Sequence, residues 1–239
     1  MGTDGLPRGG TRYTRADFRI RQSGFSVPFD GALPRCGFDP GGATAMKQNG
    51  HGKAKILSAS EIAQLLEALP TVRDRAVAAI GLFTGCRISE ICSLRTADTY
   101  IYDGQGWCLL PVLTVRKGST KGQVATRQIP VHPQLAQLLA QHQPGTVYVF
   151  PSRWHPWRHL NPRSYDRILR HALAQANIAG ASTHSFRRTC LSTLSAAGVP
   201  LRVIQEISGH RSLDVLQGYL EVQPHHLHQA IRQLDFPAS

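Results

Sequence analysis

The chain has 239 residues and a mass of 26.2 kDa, room for one domain and an appendage but not for two large domains. Lys and Arg total 27 against 15 Asp and Glu, a formal charge of +12, so a polyanion is the partner to expect, although a solubility charge alone would give the same excess. The 41% hydrophobic content argues against wholesale disorder, and no apolar run nears the roughly 18 residues that a membrane span needs.

Residues 1–55 read as a flexible basic arm. The first 52 hold 11 of the 22 glycines, and the first 55 hold nine Lys/Arg against four Asp/Glu, with no sustained helical or strand period. The first twenty contain four arginines and no apolar stretch, so no signal peptide is expected. The two methionines are Met1 and Met46, which leaves a start at Met46 as an alternative. Five cysteines with no C-x-x-C pair suggest free thiols in a reducing compartment rather than a disulfide or zinc framework.

Order is expected from Ser58, where Ser58-Ala59-Ser60-Glu61 has the form of a capping box. Ile62, Leu65, Leu66 and Leu69 then share one helical face until Pro70 ends it. Residues 72–83 read as a buried helix, Thr84-Gly85 breaks it, and 88–94 is a short third helix. The period then changes. Residues 107–115 and 126–131 read as strands flanking Lys117-Gly118-Ser119-Thr120-Lys121-Gly122, a hairpin with a basic tip. Pro133 opens another helix. Residues 147–150 are a short apolar run, and 154–162 a loop rich in Trp, His and Pro. Helices are expected over 163–176, 184–197, 200–208, 212–220 and 224–234, with Gly198 and Gly209 as stops. The fold class is mainly α with a small antiparallel β-sheet or hairpin, α+β.

Four places bring charged and nucleophilic groups together. Arg87 follows the Gly85 turn at a helix start, where guanidinium and helix N-terminus both attract a phosphate; the plainer alternative is a surface i,i+3 ion pair with Glu90. His184 and Arg187 are three apart on a helix that Thr183 can cap, which suits an anion or simply a solvated basic face. His210 follows Ser208-Gly209, Ser212 can cap the next helix, and Tyr219 lies two turns on; an ordinary turn and a packed tyrosine would look alike. Lys117 and Lys121 can dip into a groove or merely discourage strand pairing.

Together these side chains form a phosphoryl-transfer set. Arg87 and Arg187 can hold the non-bridging oxygens as charge develops. His184 and His210 can donate hydrogen bonds or move protons. Tyr219 can be a covalent nucleophile if cations or a base offset its pKa near 10. No carboxylate cluster suits two-metal chemistry, and no Gly-x4-Gly-Lys-Ser/Thr loop is present to suggest an ATPase.

In order and spacing, five segments resemble the catalytic domain of the tyrosine recombinases, the phage-integrase family. They are Thr84-Gly85-Cys86-Arg87-Ile88-Ser89-Glu90, the lysine hairpin ending in Arg127-Gln128-Ile129-Pro130, His184-Ser185-Phe186-Arg187-Arg188-Thr189, Ser208-Gly209-His210, and a tyrosine nine residues after that histidine. The resemblance covers about 56–234 and implies the recombinase catalytic-core fold for 56–239. It implies that Arg87 and Arg187 clamp the phosphate and that His184 handles a proton. His210 would donate to the phosphate, and Tyr219 would form a 3′-phosphotyrosyl bond. Lys121 would act as general acid, with Lys117 as the other candidate.

The implied activity is site-specific cutting and rejoining of double-stranded DNA by two transesterifications, without metal, ATP or another cofactor. The alternatives are a topoisomerase-like nicking and closing enzyme or a non-catalytic DNA-binding relic. A homo-tetramer on DNA is implied, with the 224–234 helix docking on a neighbour; packing within the chain fits that helix equally. A cytoplasmic, nucleoid-associated protein would follow, with no membrane contact. Two positions depart from the family pattern: Arg188 stands where His is frequent and Ser208 where Leu is frequent. A separate helical DNA-clamping domain often precedes the catalytic one in this family, and here the Gly-rich arm occupies that place. The His225-His226-His228 cluster reads as a solvated helix end.

Overall fold

In the computed structural model the described residues are 54–119, 126–217 and 231–232. Helix α1 (Ala59–Ala68) starts at the expected capping box: Ser58 accepts from the Glu61 N–H, and the Glu61 carboxylate accepts from the Ser58 N–H. Thr71 caps α2 (Val72–Thr84) by accepting from the Asp74 N–H. Ala76, Val77, Ala78, Ala79 and Ile80 of α2 are buried, as its all-round apolar character predicts. Gly85 ends the helix in the left-handed region at φ 62°, and Arg87 is the N-cap of the short α3 (Ile88–Cys92).

The β-structure differs from the expected single hairpin. Two separate two-stranded antiparallel sheets are present among the described residues. β1 (Tyr100–Tyr102) pairs with β2 (Trp107–Leu109), and β3 (Val112–Val115) pairs with β4 (Arg127–Pro130), in the register Val112 with Pro130 and Val115 with Arg127. The continuous strand expected over 107–115 breaks at Leu110-Pro111. Pro111 has no N–H for a ladder, and the Leu110 N–H turns to the Thr99 carbonyl. β1 is only three residues long, too short to show a period.

Pro133 is the first residue of α4 (Pro133–Ala140), as expected. The 147–150 run is not a strand; Val149 and Phe150 are nonetheless fully buried. α5 (Pro162–Gln175) is capped by Asn161, and α6 (Thr183–Ala196) begins one residue before the expected start. Its N-cap is Ser182 rather than Thr183: the Ser182 N–H donates to Ser185 Oγ at 3.0 Å, and Thr183 is the first helical residue. α7 (Leu201–Ser208) ends at Gly209 with φ 65°, and α8 (Leu213–Gln217) follows. The expected 224–234 helix lies outside the described residues except for 231–232.

The main core joins α1–α6 and the sheets through residues such as Leu65, Ile80, Ile91, Leu113, Leu139 and Tyr165. A smaller apolar cluster of Leu191, Ile204 and Leu216 ties α6, α7 and α8 together. Gly81 lets α2 and α6 approach closely: a Cβ there would lie 3.0 Å from Phe186 Cβ. Phe186 points into the core as expected, at 2% exposure, and its neighbour Arg187 is thereby held against the end of α2. Among the described residues no helix is long and apolar enough to cross a membrane.

Candidate active site

Two chain reversals and a helix start meet at one point: the α2–α3 turn, the α7–α8 turn and the first turns of α6. Arg187 is 1% exposed, an expensive place for a charge unless its donors are used. Its Nη1 donates to the Gly85 carbonyl at 2.6 Å, and its Nη2 lies 3.0 Å from His210 Nε2 and 3.2 Å from Nδ1. The left-handed Gly85 leaves its carbonyl free for Arg187.

His210 is itself buried and lies 2.7 Å from Ser208 Oγ through Nδ1. One assignment of protons satisfies these contacts: Arg187 donates to Nε2, Nδ1–H donates to Ser208 Oγ, and the Ser208 hydroxyl donates to the Gln205 carbonyl at 3.3 Å. Burial, then the charges of Arg187, Arg87 and Arg127, drive the imidazole pKa down to about 3, against a smaller opposing effect of Glu90. His210 is therefore neutral near pH 7.

Glu90 organises the other side. It is fully buried, and its carboxylate accepts from Arg87 Nη1 at 3.0 Å, the Arg87 N–H at 2.8 Å and Arg127 Nη2 at 2.7 Å. Burial alone would raise this carboxyl's pKa, but the Arg127 hydrogen bond and charge, then Arg87, hold it below the ordinary range. So the i,i+3 pair between Arg87 and Glu90 exists, but its acid is in the interior rather than on the surface. The Arg87 side chain stays 27% exposed and within reach of a ligand.

Arg127 was not among the expected site residues. It opens β4, donates through Nε to the Ile207 carbonyl at 3.1 Å, and lies against the α7–α8 turn. A Cβ at Gly209 would come within 2.7 Å of Arg127 Nη1 and displace that guanidinium, and the positive φ there itself favours glycine. The available signal was a lone arginine at the mouth of an otherwise uncharged strand.

Of the six expected residues, Arg187 and His210 touch, and Glu90 and Arg127 lie between Arg87 and the His210 turn. His184 sits in the first turn of α6, exposed at its surface end, while Arg187 one turn on is buried. Lys121 and Tyr219 lie outside the described residues. Lys117 starts a short 3-10 turn, Lys117–Ser119, and its N–H donates to Thr126 Oγ1. Leu216, three residues before Tyr219 in sequence, is anchored beside Leu191 and Ile204.

The two departures from the family pattern both make contacts. Ser208 supports His210, and Arg188 donates to the Ala54 carbonyl at 2.6 Å, while Thr189 Oγ1 accepts from the Leu57 N–H. The chain entering α1 is thus fastened to the helix that carries Arg187. Among the described residues the cysteines are free, with Cys86, Cys92 and Cys190 buried. None of their groups of His, Cys, Asp and Glu is placed to hold a metal ion; the 225–228 histidines lie outside the described residues.

This is a helical core with a small β-structure, which brings Arg187 and His210 together beside the Glu90–Arg87–Arg127 cluster. Residues 55–226 match the phage integrase family, and the chain belongs to that family of tyrosine recombinases. It is 31% identical over 185 residues to tyrosine recombinase XerA of Pyrococcus furiosus, covering 75% of this chain and 61% of that protein. It is 27% identical to tyrosine recombinase XerC of Lactobacillus leichmannii, covering 84% of this chain and 70% of the relative. The fold is that of a crystal structure of XerA recombinase, with TM-score 0.60 at 22% identity over 76% of this chain and 66% of the other. It is also that of the Tn1549 transposon integrase bound to circular intermediate DNA, with TM-score 0.61 at 18% identity over 77% and 68%. The chain spans about 61% of the length of XerA.

Proposed function

We propose that this chain is a site-specific DNA recombinase, with a basic arm at 1–55 and the catalytic domain at 56–239. The observation that carries the reading is the buried Arg187, held between Gly85 and His210 beside an Arg87 whose head remains accessible. In this reading both arginines turn to the non-bridging oxygens of one DNA phosphate, where preorganised charge is worth most in the transition state.

Tyr219 attacks that phosphorus and forms the new P–O bond, with His184 helping to take the phenolic proton. The bond to the 5′-oxygen breaks, and Lys121 (or Lys117) protonates the leaving oxygen. Reversal by the 5′-hydroxyl of another strand restores the phosphodiester and frees the tyrosine, so the bond energy is never lost to water. Double-stranded DNA is the partner, and a structural relative is a DNA-bound integrase. A tetramer would assemble on the DNA through the 224–234 helix of each subunit. A nucleoid-associated, cytoplasmic location would follow from that activity.

The test is a covalent trap. Full-length protein and Tyr219→Phe are incubated with nicked duplex from the DNA flanking the gene, then run on a denaturing gel. An adduct formed by the wild type and lost in Tyr219→Phe is the expected result. An adduct that persists in the variant would remove Tyr219 from its role, and absence of any adduct with DNA binding intact would point to a relic.

A further inference from the structure

The expected Trp-, His- and Pro-rich loop has no part in the site above. Its base is firmly built. Phe150 and Leu160 are buried, the Leu160 N–H donates to the Phe150 carbonyl at 2.7 Å, and the Ser152 N–H donates to the Arg158 carbonyl at 2.8 Å. At its tip the Arg158 N–H donates to the His155 carbonyl at 2.8 Å. That places Pro156 and Trp157 at the two central positions of a turn, with Pro where turns favour it.

The fixed turn displays rings to solvent. Trp154 is 78% exposed and Trp157 66% exposed. Each has a basic or ring-nitrogen companion: the Arg153 guanidinium carbon lies 5.5 Å from the Trp154 ring centroid, and the His155 ring lies 5.4 Å from that of Trp157. The surrounding sequence carries one sign of charge. From Gly104 to Tyr165 there is no Asp or Glu, against seven Lys and Arg, among them Arg153, Arg158 and Arg163.

A ligand for this loop must offer negative charge and flat aromatic faces together. Nucleic acid does, but a closed duplex hides its base faces in the stack. Unpaired DNA presents them beside its phosphates, and base stacking on aromatic side chains with basic neighbours is how sequence-tolerant single-strand sites work. We propose that the 152–159 loop is a binding site for single-stranded DNA, stacking unpaired bases on Trp154 and Trp157 while Arg153 and Arg158 hold the flanking phosphates. The inference rests on the recombinase reading for its purpose: strands that change partners pass through an unpaired state, and this loop holds them there.

The chain's three tryptophans are Trp107, Trp154 and Trp157, so intrinsic fluorescence reports the loop directly. Full-length protein is titrated with a dT oligonucleotide and, separately, with duplex of equal length, alongside Trp154→Ala/Trp157→Ala and Trp154→Tyr/Trp157→Tyr. The single strand is expected to quench the wild type. The alanine pair should bind it at least about fivefold more weakly with duplex affinity unchanged, and the tyrosine pair should keep most of the single-strand affinity. Unchanged single-strand affinity in the alanine pair overturns the proposal. An equal loss for duplex also overturns it, and makes the loop a duplex backbone contact. Quenching without a Tyr219-dependent adduct would leave this site standing and sink the recombinase reading, and the reverse pattern would do the opposite.

Discussion

Arg187 Nη2 lies 3.0 Å from His210 Nε2, so a fully buried cation is held against a histidine that must stay neutral to accept from it. Together with the Gly85 carbonyl, the pair holds the guanidinium in one orientation. Arg187→Ala removes the charge and also frees the Gly85 carbonyl and His210. Single-turnover cleavage should fall by about 10²–10³-fold, the usual cost of losing one preorganised donor. Arg187→Lys keeps the charge but not the two-pronged geometry and should recover only part of the rate. Near-normal cleavage in Arg187→Ala would contradict the clamp.

The same pair makes stability depend on pH. His210 titrates at about 3 in the folded chain and near 6.5 when unfolded. Between those values the unfolded state binds the extra proton, so stability falls as pH drops below about 6.5, with a slope of at most about 1.4 kcal/mol per pH unit from this group. Urea unfolding from pH 7.5 to 5 should show the decline, and His210→Gln should flatten it. An identical slope in the variant would place the proton uptake elsewhere.

Glu90 is shared by Arg87 and Arg127, and exchanging it for Gln removes their counter-charge and turns one of its two acceptor oxygens into an amide donor facing the guanidinium groups. Glu90→Gln should destabilise the fold by about 3–5 kcal/mol, as for a broken buried ion pair. It should also slow cleavage, because Arg87 loses the contact that sets its direction. A loss of about 0.5 kcal/mol or less in a chemical denaturation curve would mean that Glu90 is not holding the pair.

Glu90 and Tyr100 mark where the sequence stops being legible. Capping chemistry, glycine stops and the spacing of Arg87, His184, Arg187 and His210 are local, and Ser58, Gly85, Gly209 and Phe186 all do what local rules predict. The burial of Glu90 is not local. It depends on Arg127, 37 positions away, closing over it from a strand. The two-sheet arrangement failed to show for a similar reason: Tyr100–Tyr102 is too short to carry a period, and it is settled by pairing with Trp107–Leu109 and by Tyr100 donating to the Leu139 carbonyl. Arg127 carries no distinctive sequence signal of its own, because a single arginine in a strand has no motif until its partners are in place.

The hairpin lysine can be assigned by the chemistry of the leaving group. If Lys121 is the general acid, Lys121→Ala should slow cleavage of an ordinary phosphodiester by about 10²–10⁴-fold. A substrate with sulfur in place of the bridging 5′-oxygen needs no proton on departure, and it should be cleaved by the variant almost as fast as by the wild type. Lys117→Ala should then behave alike on both substrates. The opposite pattern would transfer the role to Lys117.

The arm can be tested through salt. Residues 1–45 contain six arginines and four aspartates, and each phosphate that a cation neutralises steepens the fall of log K with log salt by about 0.9. Deleting 1–45 should weaken duplex binding and flatten that slope by about 0.9 for every phosphate that the arm neutralises in the intact protein. Because Arg188 and Thr189 fasten Ala54 and Leu57 to α6, beyond the deleted segment, the remaining chain should keep its unfolding midpoint. Weaker binding with an unchanged slope would mean that the arm acts other than through phosphates. Unchanged binding and unchanged slope together would favour Met46 as the working start of the protein.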